Sequence, residues 1–310
     1  MKVVIVGLPL FAERLAHALT EYDHENTYIH LDTYYKKADQ LKALWHIPRA
    51  DCVVSINGSV VSSRVFDLAF KHKVPLIMNW VGTDVLKSIK AFNEGRHLQH
   101  YIDDAIHFCE VDWIKSELEE IGVEADVVNF AAFKKSFDLK KATSKELTVL
   151  SYIPGKRSDF YGMPTLIRTA EKLPSVQFLI AGTEGQEYAP LPSNMKALGW
   201  VDNMGEVYEK THVCVRYTEH DGLSNFILES LARGKKVIYR NPFNNCEHCP
   251  DEDMVAAQIE LFEKELKEGG DLLNPEGAKF IQKEFNEETI LGGYLKTVSY
   301  THLTLPTSSW

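Results

Sequence analysis

The runs Val3-Val-Ile-Val6 and Phe178-Leu-Ile-Ala181 are apolar at every position. A strand with one wet face alternates apolar and polar side chains, whereas a strand apolar on both sides must be covered on both faces. That requirement selects a parallel sheet with helices packed above and below it. Strand patterns recur at Lys2–Gly7, Thr27–Leu31, Asp51–Asn57, Val74–Asn79, Ala105–Cys109 and Asp126–Phe130, and again at Glu146–Ile153, Val176–Gly182, Met195–Leu198, Val213–Tyr217 and Lys236–Arg240. Helical periodicity fills the intervals, as in Phe11–Tyr22, Trp113–Ile121, Pro164–Lys172 and Leu223–Arg233. Strictly alternating strands and helices predict an α/β, doubly wound, Rossmann-like architecture.

The rhythm breaks once. Ala132–Lys145 is polar, Lys-rich and without apolar periodicity, and a fresh strand–helix series starts at Glu146. The stretch therefore reads as a linker between two Rossmann-like domains, residues 1–140 and 141–297. The 310-residue chain is long enough for two such domains, each with its own core. Two domains of this kind are expected to face a cleft, with ligands at the carboxyl ends of the strands.

Charge narrows the partners. With 34 Lys and Arg against 44 Asp and Glu, the net charge is -10, which repels nucleic acid phosphates; no nucleic-acid partner is expected. No run reaches the ~20 apolar residues of a spanning helix, and the β-branched start reads as a first strand, not a signal peptide. The expectation is a cytoplasmic protein, with room for peripheral attachment at the inner membrane face. Of the five cysteines, Cys52, Cys109 and Cys214 fall in apolar strand runs and read as buried thiols. Cys246-Glu-His-Cys249 is a single C-x-x-C; with His248 it offers three zinc ligands where a structural site needs four, so it reads as an exposed loop without metal. His97, His100 and His107 form no ligand cluster, and no G-x-G-x-x-G follows a strand, which argues against a nicotinamide dehydrogenase.

The stretch Val213–Ile238 is the most informative. It parses as strand, turn, helix, Gly stop and strand, with Leu223, Phe226, Ile227 and Leu231 on one helical face and Gly234 at the stop. Asp221 and Gly222 fall at the expected helix start. The N–H groups of Gly222, Leu223 and Ser224, at the positive end of a helix dipole, would form a pyrophosphate site. Glu229, farther along, is an acceptor-only carboxylate suited to two ribose hydroxyls. His220 reads as a sugar or phosphate contact, or as a turn residue capping local backbone. Arg216 reads as reaching the phosphates or pairing with Glu219.

This stretch resembles the E-x7-E region of family 4 retaining glycosyltransferases, with Asp221 in place of the first Glu and Glu229 as the second. The resemblance extends more weakly over the second half. Lys156 and Arg157 follow its first strand, where the family places basic groups on the pyrophosphate, and Leu198-Gly-Trp200-Val201 resembles the short strand that meets the base. In the first half Trp80-Val-Gly-Thr-Asp84 lacks the family's His, and the Gly-rich loop after the first strand is reduced to Gly7-Leu-Pro. The resemblance implies a GT-B fold and transfer of a sugar from a nucleoside diphosphate sugar to an acceptor, with retained configuration and no cofactor. Asp221 would act on the sugar and Glu229 on the ribose. Lys156, Arg157 and the Gly222–Ser224 backbone would stabilise the leaving pyrophosphate. No Asp-x-Asp lines the expected cleft, so no metal is expected. The acceptor class stays open between a glycan and a lipid-linked molecule. An epimerase acting on the same donor and a non-catalytic nucleotide-sugar binding protein are the alternatives.

The tail Val298–Thr307 resembles a translated transposon-end sequencing adapter. That implies a native chain running on past about Thr297 and a tail outside both cores.

Overall fold

The computed structural model describes residues 1–132 and 137–304. The chain separates into two compact units, neither continuous in sequence. Of the described residues, unit 1 comprises 1–132, the tripeptide Asp221–Leu223 and 286–304; unit 2 comprises 137–220 and Ser224–Phe285. The expected linker falls partly on residues 133–136, outside the described residues.

Unit 1 runs β1 (Lys2–Gly7), α1 (Pro9–Tyr22), β2 (Thr27–His30), α2 (Lys37–His46), β3 (Cys52–Ile56), α3 (Arg64–Lys71), β4 (Leu76–Trp80), α4 (Thr83–Asn93), α5 (Gln99–Asp103), β5 (Ile106–Cys109), α6 (Asp112–Glu119) and β6 (Ala125–Val127). Its strands pair in parallel in the order β2-β1-β3-β4-β5-β6. Unit 2 runs β7 (Thr148–Tyr152), α7 (Met163–Lys172), β8 (Gln177–Ala181), β9 (Met195–Gly199), α8 (Met204–Tyr208), β10 (Val213–Arg216), α9 (Asn225–Ala232), β11 (Lys236–Tyr239), β12 (Glu247–His248), α10 (Glu252–Lys267) and α11 (Pro275–Glu284). Its parallel order is β12-β11-β10-β7-β8-β9. A π turn over Glu288–Gly292 leads into α12 (Gly293–Thr304).

The apolar runs do what their composition requires. Every residue of β3 and β4 is buried, as are five of the six in β1. Buried Tyr294 of α12 lies against the same sheet, its hydroxyl 3.1 Å from Nδ2 of buried Asn79. Val298 on the same helix is 3% exposed. The Cys246–Cys249 segment departs from expectation. It is no simple exposed loop: Glu247 and His248 pair with β11 as an edge strand, and Cys249 sits in the core of unit 2. All five cysteines are free thiols.

Three buried titratable groups follow from this packing. His107 on β5 accepts from Trp80 Nε1 at Nδ1 (3.2 Å), which leaves its Nε2 proton for the carbonyl of Ile102 at 3.1 Å. Burial pushes its pKa down to about 4. His212, beside β10, accepts the Thr148 N–H at Nδ1 and is likewise lowered by burial to about 4. Glu110, one residue beyond β5, is 8% exposed, and burial, reinforced by the nearby Asp84, pushes its carboxyl up to about 8 although the Phe130 N–H bonds it. The signs differ. The two histidines bind fewer protons when folded, so their contribution to stability is full above the unfolded pKa of about 6.5 and is lost as pH falls toward 4. Glu110 binds its proton more tightly when folded, so its contribution is full below about 4.5 and is lost as pH rises through 8. NMR titration should therefore find both imidazoles neutral at pH 5.5; protonation near pH 6.5 would refute the assignment. The melting temperature of Glu110→Gln relative to the parent should rise progressively between pH 5 and 8.5, by about 3 °C or more. An offset independent of pH would show that Glu110 is already charged in the folded state.

Candidate functional site

In unit 2 the chain leaves β7 toward β8 and β9, then returns to the other side of β7 as β10. At such a reversal the loops after the two central strands diverge and leave a crevice at their carboxyl ends. The loop after β7, Ile153–Gly162, and the loop after β10, Tyr217–His220, are tied together there. Glu219 N donates to Phe160 O at 2.9 Å, and the Thr218 hydroxyl lies 3.0 Å from the same oxygen. A Cβ on Gly162 would stand 1.8 Å from Tyr217 O, so only glycine allows this approach.

Two cations lie on the first loop, and a third, Arg216, ends β10. Lys156 and Arg157 are exposed. Arg157 adopts a left-handed backbone, φ 71°, a conformation that costs an L-residue about 1–2 kcal/mol and that concentrates at functional sites. Its guanidinium lies 4.0 Å over the Phe160 ring, which holds the side chain on the loop. Arg216 is different: it is 7% exposed, donates from Nη1 to Tyr152 O at 3.2 Å and stands 5.0 Å from the Tyr161 ring. It therefore bridges the ends of the two central strands. His220 ends the second loop, its carbonyl 3.2 Å from the Thr218 hydroxyl.

The helix that follows starts later than its apolar pattern implies. Ser224 is the N-cap, with extended backbone, and α9 begins at Asn225. Asp221 and Gly222 precede the helix instead of opening it, and Leu223 is not on its apolar face; it packs against the core of unit 1. Periodicity records that Leu223 is apolar and not which core receives it. The first-turn N–H groups are those of Asn225 onward, with Ser224 O accepting from Ile227 N at 3.0 Å. Six of the eight residues of α9 are buried, and the two that are not, Asn225 and Glu229, stand four apart on one stripe. Glu229 thus projects from the only open side of the helix. Its Oε1 accepts from Arg233 Nε at 3.1 Å and Nη2 at 3.0 Å, so the carboxylate is held in place by the next turn.

Within unit 1, Trp113 Nε1 donates to Asp221 O at 2.8 Å. A Cβ on Gly222 would lie 2.3 Å from Val81 O, so the tripeptide meets the turn after β4 backbone to backbone. That turn is organised by Asp84, whose carboxylate accepts from the N–H groups of Gly58 at 2.7 Å and Gly82 at 2.8 Å. Burial nonetheless raises its pKa. Sequence reasoning passed over both Asp84 as an organiser and Glu110, whose Oε1 is buried with no hydrogen-bond partner among the described residues. A carboxylate directly after the strand run Ile106–Cys109 was the available signal. The strand order of unit 1 reverses between β1 and β3. A cavity of about 630 Å³ opens at their carboxyl ends, between Gly7, Ser55, Asn57, Lys37, Arg64 and Phe66.

Trp200 and Val201 follow β9, an edge strand of unit 2. The Trp200 indole is 78% exposed, with Nε1 on Asp202 Oδ1 at 2.9 Å. Among the described residues no three His, Cys, Asp or Glu side chains come together as a metal site, and no helix is long and apolar enough to cross a membrane.

No protein-family model matches the sequence, and no curated protein matches it. Solved structures do match its fold. A glycosyltransferase of Rickettsia africae superposes with a TM-score of 0.71 at 13% identity, covering 98% of both chains. HepE of Anabaena, solved in complex with UDP and glucose, gives 0.70 at 13% identity, covering 97% of this chain and 100% of its own. Sucrose-phosphate synthase of Thermosynechococcus elongatus gives 0.69 at 13% identity over the same shares. Two parallel six-stranded sheets with alternating helices, matched nearly end to end by these glycosyltransferases, establish that the chain has the GT-B fold.

Proposed function

We propose that the protein is a glycosyltransferase that moves a sugar from a nucleoside diphosphate sugar to an acceptor hydroxyl. The observation that supports this reading is the tied pair of loops at the carboxyl ends of β7 and β10: Lys156 and Arg157 lie on the first, and Arg216, at the end of β10, bonds the Tyr152 carbonyl at the end of β7, in a chain of net charge -10. Three cations at a strand-order reversal suit a diphosphate. The fold neighbour solved with UDP and glucose supports the same class of donor.

In this reading the C1–oxygen bond to the diphosphate breaks while the acceptor oxygen bonds to C1 on the same face, so configuration is retained; the acceptor proton leaves with the departing diphosphate. Lys156, Arg157 and the backbone at Gly222–Ser224 stabilise the charge that builds on the leaving group, in place of a metal ion. Arg216 holds the phosphates, the Trp200–Val201 backbone meets the base, and Glu229 accepts from the ribose hydroxyls. Asp221 and His220 act on the sugar. The acceptor is a glycan or a lipid-linked molecule, and the reaction takes place in the cytoplasm.

Glu229→Gln and Asp221→Asn separate these roles. Glutamine keeps the size, the helix propensity and an oxygen for Arg233, so the fold survives. Hydrogen bonds to a charged partner contribute about 1.5–3 kcal/mol, so affinity for the free nucleotide should fall roughly ten- to a hundredfold. Asp221→Asn should leave nucleotide affinity intact and lower turnover of the sugar donor. Calorimetry with whichever of UDP, GDP, ADP and dTDP gives the largest thermal shift, beside a turnover assay, reads both. If Glu229→Gln binds as tightly as the parent, Glu229 is a solvated helix residue and the nucleotide lies elsewhere.

A further inference from the structure

Helix α2 is amphipathic on the wrong side for a domain helix. Its inner face contributes Ala43 to the core, and Ile47 follows it there. Its outer face carries Leu41, Leu44 and Trp45, which are 69%, 60% and 61% exposed. These positions are spaced i, i+3, i+4, so they form one continuous stripe pointing away from the core. The preceding turn adds Tyr34 and Tyr35, the latter 81% exposed. A water-facing stripe of this size is unusual in a soluble unit and marks a surface that meets something apolar.

The charges around the stripe specify what. Residues 36–49 carry Lys36, Lys37, Lys42 and Arg49 against one carboxylate, Asp39, in a chain with net charge -10. Arg49 lies 3.6 Å over the Trp45 ring, so cation and aromatic face outward as a unit. Leu41 and Leu44 also form part of the wall of the 630 Å³ cavity, where Lys37 and Arg64 are the charged residues and no carboxylate lines the described wall. Apolar side chains flanked by cations and aromatics match the boundary layer of an anionic membrane, where acyl chains meet phosphate. A second copy of this chain would bring a negatively charged surface but no acyl layer for the stripe.

We infer that the outer face of α2 docks on an anionic lipid bilayer, lying in its plane with Leu41, Leu44 and Trp45 below the phosphates and Lys36, Lys37, Lys42 and Arg49 among them. The cavity beside it then opens toward lipid, so that a ligand with an apolar chain enters it from the membrane. In a chain of net charge -10, a cationic face of this kind biases the orientation in which the protein meets an anionic surface. The docking goes beyond the sugar-transfer reading and stands whether or not that reading holds.

Sedimentation of the full chain with vesicles tests it. Vesicles of phosphatidylcholine with roughly a third phosphatidylglycerol should bind at least about tenfold more protein than phosphatidylcholine alone, and raising the salt to about 0.5 M should reverse most of the gain. The double variant Lys42→Glu with Trp45→Glu changes two exposed side chains outside the cavity wall. It should keep the parent's melting temperature and nucleotide affinity and lose at least about tenfold in vesicle binding. Equal binding to both vesicle types, no binding to either, or a double variant that sediments like the parent would overturn the inference. So would concentration-dependent self-association abolished by the double variant, since the stripe would then belong to a second copy. Nucleotide binding measured on the same samples shows separately whether the donor site is intact.

Discussion

In a parallel sheet every strand ends on the same edge, and the backbone there leaves the ladder just where the helix packing is thinnest. When the strand order reverses, two neighbouring loops depart in opposite directions and a gap opens that no helix fills. Unit 2 has this reversal between β7 and β10. Its two loops are held by hydrogen bonds at Phe160 O and by an approach at Gly162 that no side chain would permit. The positions of Arg157 and Arg216 follow from that junction: one leans on Phe160 from a left-handed backbone, and the other is buried against the Tyr152 carbonyl. Loosening the junction would scatter the charges without touching any of them.

Burial and charge are reconciled in two ways. On the loop after β7 of unit 2, Lys156 and Arg157 stay solvated, Arg157 against the Phe160 ring, while the buried His212 is kept neutral. In unit 1 the buried groups near β4 and β5 are kept neutral: His107 without its extra proton, Glu110 with its own. Both solutions avoid an isolated charge in a low-dielectric core. A neutral His107 is what allows the Trp80 indole to be fully buried with its N–H bonded.

Much of this was legible from the residues. Uninterrupted apolar runs such as Val3–Val6, short and bounded by turn residues, suit doubly covered strands, so most strands were readable to within two residues, although β6 ends three residues before the expected Phe130. The start of α9 was not, because Leu223 is apolar on account of a different core from the one Phe226 and Ile227 serve. Nor was β12, whose residues Glu247 and His248 are exposed and carry no strand pattern. Leu41, Leu44 and Trp45 look like an ordinary helical core stripe; only the fold reveals that the core lies on the other side. The left-handed backbone of Arg157 and the burial of Arg216 depend on packing between loops distant in sequence, which local pattern does not encode.

The central claim is that a nucleoside diphosphate sits on the loops after β7 and β10. Hydrogen–deuterium exchange with and without a saturating nucleoside diphosphate tests it most directly, since amide protection reports where the backbone meets the ligand. The account predicts slowed exchange at residues 154–163 and 217–229, with the loops after β1 and β3 unchanged. Protection confined to residues 7–10 and 57–60, or none near Lys156, Arg157 and Arg216, would contradict it.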